Sequence, residues 1–189
     1  MIRIGILGDI GSGKSHVAKS FGYPVFNADK EVGKLYRKNK KIFSKLKKIL
    51  PKYFNSYPIK KYEVTEAILS NSNNLKKIIK VIHLEIRKEM NFFLKKNKNK
   101  KVVILDVPLL LENRINKKND ILVFVQSKKL DILKRLRKKP NFNQKLLNKF
   151  RKLQLSLDYK KKKSHFIIKN NFTNKFVKRD VKYILKKIL

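Results

Sequence analysis

Eight residues near the start, Gly8-Asp9-Ile10-Gly11-Ser12-Gly13-Lys14-Ser15, have the form G-x-x-x-x-G-K-[ST]. These residue types suit a phosphate group. Backbone N–H groups must turn inward around the anion, and side chains would block them, so glycine recurs. Gly5, Gly8, Gly11 and Gly13 all lie in this stretch of a chain that has only six glycines. On this pattern Gly11, Ser12, Gly13, Lys14, Ser15 and His16 hold the phosphates of a nucleotide. Lys14 reaches the outer phosphates, and the Ser15 hydroxyl ligates Mg²⁺. The competing reading is a Gly-rich turn before a helix, and the clustering of glycines favours the phosphate loop. The flanks agree. Ile2-Arg3-Ile4-Gly5-Ile6-Leu7 is an apolar run fit for a buried strand, and Val17, Ala18 and Phe21 follow at helical spacing until Gly22 and Pro24 stop them. Strand, loop and helix are the context the motif requires.

The elements that must position this loop are legible from periodicity. Pro24-Val25-Phe26-Asn27 reads as a second strand leading to Ala28-Asp29. From Lys30 to Lys101 the chain shows no convincing strand. It carries turn signals at Pro51, Pro58 and Ser70–Asn74, and a helical stripe of Leu75, Ile78, Ile79, Ile82, Ile86, Met90 and Phe93. Roughly seventy residues of helix between two strands exceed a simple crossover, so 30–101 is expected to be an inserted helical subdomain. Val102–Leu105, Ile121–Val125 and Phe166–Ile168 are further buried strands. A helix starts with Leu130, Leu133 and Leu136, breaks at Pro140-Asn141-Phe142-Asn143, and resumes through Leu146, Leu147, Phe150, Leu153 and Leu157. Phe176, Val177, Val181, Ile184 and Leu185 mark a last helix. The expectation is an α/β fold of three layers, with a five-stranded parallel sheet wrapped on both faces.

Composition narrows the partners. At 189 residues with 42% apolar content, the chain makes one domain, or one domain with a sizeable insertion. The absence of cysteine excludes a disulfide framework and a thiolate zinc site. His16, His83 and His165 are scattered, which argues against a His-rich metal centre. No apolar run approaches the ~20 residues of a membrane span, and the N-terminal stretch lacks the shape of a signal peptide. A cytoplasmic protein without a membrane partner is expected. The net charge of +37 fits a nucleic-acid binder. It equally fits a genome rich in A and T, since lysine, asparagine, isoleucine and phenylalanine are abundant together. The basic residues run along the whole chain rather than forming an arm, which favours the second reading. Among only thirteen acids, Asp29 and Asp106 stand just past strand-like runs, where open α/β sheets place ligands.

Together these motifs resemble the bacterial dephospho-coenzyme A kinase family from Ile2 to about Asn170. That family opens with GGIGSGKS, here Gly8–Ser15, and follows strand two with a DAD-like element, here Asn27-Ala28-Asp29. Its His-Pro-x-Ile-Arg is here His83-Leu84-Glu85-Ile86-Arg87, and its DVPLLFE is Asp106-Val107-Pro108-Leu109-Leu110-Leu111-Glu112. Gln154 and Lys160 keep a Q-x₅-K spacing, and Asn170 fits an asparagine after the last strand.

The resemblance implies a P-loop kinase fold. Residues 1–29 and 102–189 would form the nucleotide-binding core, 30–101 the substrate-binding insertion, and about 137–149 a short lid. It implies transfer of a phosphoryl group from ATP, with Mg²⁺, to the ribose 3′-hydroxyl of dephospho-coenzyme A. Asp29 would be the catalytic base. From the residues alone it reads equally as a helix N-cap. Lys14 would stabilise the transferring group. His83, Arg87, Asp106, Pro108 and Leu109 would contact the substrate. Asp106 would also reach the metal through water, and both of its roles stay open. Arg135, Lys139 and Asn170 would contact ATP.

Departures are visible. Asp9 replaces a common glycine, so its acid must point away from the phosphates or be offset by Lys14. Gly33 stands where the family often has arginine, with Lys34 beside it as a substitute. Lys139 holds an arginine position of the lid, with Arg137 as its competitor. The rival activities are a nucleoside-monophosphate or shikimate-type kinase and a basic nucleic-acid-binding NTPase, the latter resting on Tyr53, Phe54, Tyr57 and Tyr62 as an exposed stacking cluster. A scaffold that binds nucleotide without turnover is disfavoured by the pairing of Lys14 with Asp29. No specific nucleic acid and no obligate protein partner are expected.

Overall fold

Isoleucine, valine and leucine fill five short strands, and all five pair in parallel in the order β2-β3-β1-β4-β5. A computed structural model describes residues 1–140 and 142–189. The strands are β1 (Ile2–Gly8), β2 (Val25–Asn27), β3 (Val102–Asp106), β4 (Ile121–Gln126) and β5 (Phe166–Lys169). Register places Ile4 beside Ile104 on one side and Ile121 on the other. Both faces are covered, as continuous apolar strands require. On one face Ile4, Ile6, Val102, Ile104, Val123 and Val125 meet Val17 and Ala18 of α1 (Lys14–Ser20) and Phe21 just after it. They also meet Val177, Val181 and Ile184 of α9 (Asn174–Ile188). Each such aliphatic side chain contributes about 1.5–3 kcal/mol when fully buried.

On the other face Leu110 presses against β1. A β-carbon at Gly5 would lie 2.5 Å from its Cδ2, so the strand needs glycine there. At the start of β1, the Arg3 guanidinium pairs with Asp120 at 2.9 Å in a buried site.

The chain divides into two compact units. The first is Met1–Asn27, Asn97–Asn143 and Arg151–Leu189, and the second is Ala28–Lys96 with Gln144–Phe150. The second unit contains α2 (Ala28–Lys38), α3 (Lys40–Ile49), α4 (Lys61–Ser70) and α5 (Ser72–Lys96). Its core is the α5 stripe of Leu75, Ile78, Ile82, Ile86 and Met90 with Leu35, Ile42, Leu46 and Ile68. Asn39 starts α3, its Oδ1 accepting the Ile42 N–H at 3.0 Å. Glu63 fastens the loop before α4. It accepts from the N–H groups of Asn55 (2.9 Å), Ser56 (3.0 Å) and Lys60 (2.9 Å).

Three details differ from the sequence reading. The stretch Ser70–Asn74 is barely a turn, since only Asn71 separates α4 from α5, and buried Asn74 donates to the Ala67 carbonyl at 2.9 Å. The helix expected to run through Leu157 splits into α7 (Gln144–Arg151) and α8 (Leu157–Lys162), the latter capped by Ser156 Oγ on the Tyr159 N–H at 3.2 Å. All but the last residue of α7, expected in the lid, groups with the helical unit, where Lys149 Nζ donates to the Ile68 carbonyl at 2.8 Å. Asn141, placed by sequence in the lid turn, lies outside the described residues.

Candidate active site

The loop between β1 and α1 is built around left-handed glycines. Gly13 has φ 91°, and a β-carbon there would come within 2.3 Å of Asn170 Nδ2. The reason is visible in the hydrogen bonds. Asn170 Nδ2 donates to the Ser12 carbonyl at 2.8 Å, and Ser127 Oγ donates to the same carbonyl at 2.9 Å. Two groups from the ends of neighbouring strands therefore pull on one carbonyl. They fix the orientation of that peptide within the loop. Asn170 is itself buried, and its Oδ1 accepts the Phe172 N–H at 2.9 Å. The side chain predicted to touch ATP is thus committed to holding the loop. Lys14 folds over the loop, donating to the carbonyls of Gly8 at 3.2 Å and Asp9 at 2.8 Å.

Beside the loop, three oxygen- and nitrogen-bearing groups from different elements meet. Asn27 Nδ2, at the end of β2, donates to buried Asp106 at the end of β3 and approaches Ser15 Oγ at 3.4 Å. A hydroxyl and one carboxylate are oxygen donors of the kind a hard cation takes while keeping several waters. They fit Mg²⁺ held partly by nucleotide phosphates.

Asp9 is neutralised, though by Arg151 rather than by Lys14. Its Oδ1 accepts the Ile10 N–H at 2.7 Å and its Oδ2 meets the Arg151 guanidinium at 2.9 Å. The expected lid cations separate. Arg135 lies on α6 (Lys129–Arg137) and stacks on the Phe172 ring at 4.1 Å, and Phe172 borders Gly13. Lys139 is not on that helix, which ends at Arg137. Arg135 and Lys139, both expected to contact ATP, therefore do not share one helix face. Pro140 forces the break early, because the residue before proline is driven out of helical conformation. Lys139 instead sits in a turn, its carbonyl accepting the Phe142 N–H at 3.2 Å.

The D-V-P-L-L-x-E run has divided duties. Asp106 joins the metal corner, and Leu110 plugs the sheet. Pro108 and Leu109 stay half-exposed. Glu112 pairs with buried Lys160 at 2.8 Å and accepts the Leu155 N–H at 3.0 Å. Gln154 Oε1 accepts from Lys160 at 3.1 Å, so the Q-x₅-K spacing serves to fix this segment.

In the helical unit, Asp29 is exposed in the first turn of α2. It is the second helical residue, so it is not the N-cap that its sequence context equally allowed. His83 and Arg87 lie one turn apart on α5. Burial first, and then the Arg87 charge, hold the His83 imidazole below its usual pKa, and its Nε2 is buried with no hydrogen-bond partner among the described residues. A neutral ring with one unused nitrogen is suited to a ligand hydrogen bond. Lys34 pairs with Glu31 at 2.8 Å, while the Arg37 guanidinium lies 3.5 Å from where a Gly33 side chain would begin. Two cations, Lys34 and Arg37, thus lie near the missing arginine position. An open cavity of about 660 Å³ lies along α2 and α3, lined by Glu31, Lys34, Lys38, Tyr57 and Glu89 among others, and Asp29, His83 and Arg87 do not line it. Phe54 is fully buried, so the aromatic cluster around it forms no continuous stacking face.

Sequence reasoning missed Asn27, Ser127, Arg151 and Arg37 as contributors. Asn27 carried a signal, since it opens the DAD-like element. Ser127 and Arg151 carried none, because each acts on a residue that only folding brings near, whereas Arg37 is four positions from Gly33 on α2 and that spacing was readable.

The family model described as dephospho-CoA kinase matches residues 2–175. A dephospho-CoA kinase of Wolbachia pipientis wMel is 34% identical, over 96% of this chain and 95% of its own length. That of Fusobacterium nucleatum is 35% identical over 89% of each. Among solved structures, the TT1252 protein of Thermus thermophilus superposes with a TM-score of 0.76 at 23% identity, over 100% of this chain and 98% of that one. That likeness concerns the fold.

Proposed function

The chain belongs to the dephospho-CoA kinase family, and from that premise we propose how its residues carry the transfer from ATP to the ribose 3′-hydroxyl of dephospho-coenzyme A. The observation that carries the proposal is the meeting of Ser15, Asn27 and Asp106 beside the loop that holds Lys14. Asp29 is two residues from Asn27, so its Cα is at most about 7 Å from that of Asn27.

ATP phosphates settle on the loop from Gly11 to His16. Lys14 leaves the Gly8 and Asp9 carbonyls to meet the β- and γ-phosphates, and Arg135 approaches the same anion from its stack on Phe172. Ser15, with Asp106 through water, would hold Mg²⁺, which when bound would offset the charge of the phosphates. The helical unit, 28–96, holds the acceptor, with His83 and Arg87 on its pyrophosphate or adenosine end. Asp29 accepts the proton of the 3′-hydroxyl as that oxygen bonds to the γ-phosphorus and the bond to the β-phosphate oxygen breaks. ADP and coenzyme A result. Little covalent chemistry is asked of the protein, and positioning and charge do most of the work.

No described helix is long and apolar enough to cross a membrane, which supports action in the cytoplasm on small molecules. The test is ADP release with dephospho-coenzyme A against a panel of nucleoside monophosphates and shikimate. Coenzyme A should appear with the first only. Faster turnover of shikimate or a nucleotide by folded, Mg²⁺-supplied protein would reject the proposal.

A further inference from the structure

Asp9 places a carboxylate inside a loop proposed to bind a polyanion, at a position where the family motif has glycine. An unneutralised acid there would oppose the incoming phosphates. The structure shows what each of its atoms does. Oδ1 accepts the N–H of Ile10 at 2.7 Å, Oδ2 accepts from the Arg151 guanidinium at 2.9 Å, and the backbone carbonyl accepts from Lys14 at 2.8 Å and from the Ser12 N–H at 3.2 Å. The carboxylate is largely buried, at 11% exposure, whereas Arg151 is at 34%. Removing the cation would therefore leave a shielded charge with poor access to water, the circumstance in which one partner's loss matters most.

We propose that Arg151 is a positioning residue for nucleotide binding. Its guanidinium neutralises the Asp9 carboxylate and fixes its orientation. The loop then offers its N–H groups and Lys14 to phosphate without a competing negative charge. This departure of the loop and the arginine that answers it form a functional pair, although 142 positions separate them in the chain. The inference rests on the reading of the loop as the ATP site.

The experiment measures ATP affinity by calorimetry, without acceptor, for wild type, Arg151→Gln, Arg151→Lys, Asp9→Asn and the double variant Asp9→Asn/Arg151→Gln. Lys14→Ala serves as control for the site. Asparagine keeps the acceptor for Ile10 and removes only the charge. Arg151→Gln should weaken ATP about tenfold, with the loss growing at low salt as screening falls. Arg151→Lys should recover most of it, and the double variant should match Asp9→Asn within about twofold. A merely structural staple would instead leave the double variant as weak as Arg151→Gln, which would overturn the proposal. Wild-type affinity in Arg151→Gln would do the same. Should Arg151→Gln fail to fold, folding of the double variant would support charge as the cause, and its failure would overturn it. If ATP binds wild type and Lys14→Ala alike, the ATP-site reading itself is lost. If Lys14→Ala binds poorly while Arg151→Gln is normal, only the neutralisation is lost.

Discussion

The phosphate loop and the helical unit hold their candidate groups by opposite means. In and beside the loop several polar groups are tied to side chains from distant parts of the chain: the Ser12 carbonyl to Ser127 and Asn170, Asp9 to Arg151, and Asn27 to Asp106. The glycines leave no space for a β-carbon. In the helical unit Asp29 and Arg87 are exposed on helix surfaces, and the strongest polar fastening, around Glu63, lies in a loop away from both in sequence. The contrast teaches that the groups proposed to bind the donor are held in place before ligand arrives, whereas those proposed for the acceptor are placed by helix faces and packing. Losses in the loop should therefore appear in binding as well as rate, and losses in the helical unit in rate or acceptor affinity alone.

The largest expected effect tests the acceptor side of that contrast. Asp29→Asn should lower kcat by roughly 10²–10⁴-fold with ATP affinity unchanged, because only proton acceptance is removed. Wild-type turnover in steady-state assays would show that Asp29 is not the base. Lys14→Ala should cost roughly 10²-fold or more in kcat and also weaken ATP, while melting stays near wild type, since backbone builds the loop. Loss of rate with full ATP affinity would break the comparison.

Asn170→Ala comes next. It removes one of two donors on the Ser12 carbonyl and should raise the KM for ATP about tenfold, with kcat less affected. An unchanged KM would mean that Ser127 suffices. The lid comes lower, because Arg135 and not Lys139 is fixed beside the loop: Arg135→Ala should reduce kcat more than either Lys139→Ala or Arg137→Ala. A larger loss from Lys139→Ala would restore Lys139 as the lid cation.

The smallest effect is on stability. Burial pushes the Glu63 carboxyl up, but backbone donors from Lys60, Asn55 and Ser56 outweigh it and hold the pKa below 4.5. Its contribution is thus full above that ordinary value and lost as pH falls through the lower folded value. Glu63→Gln should cost about 1–3 kcal/mol at neutral pH and flatten the acid limb of the denaturation profile, with ATP affinity unaltered.

Short-range chemistry was readable in the chain itself. The loop spelling, the apolar runs of β1, β3 and β4 and the α5 stripe each depend on neighbours within a few residues, so pattern alone determined them. Helix ends were less so. The stop at Arg137 and the gap between α7 and α8 depend on Pro140 and on which apolar face finds a partner. The duties of Asn170, Glu112 and Lys160 were invisible, because their spacing marks them as special without saying what they touch. Only the tertiary structure decided that Asn170 holds the loop and that Arg151 answers Asp9. The physical reason is common to both: a polar group that is buried or charged must find a partner. Which partner is within 3 Å or so depends on strands and helices brought together from distant parts of the chain.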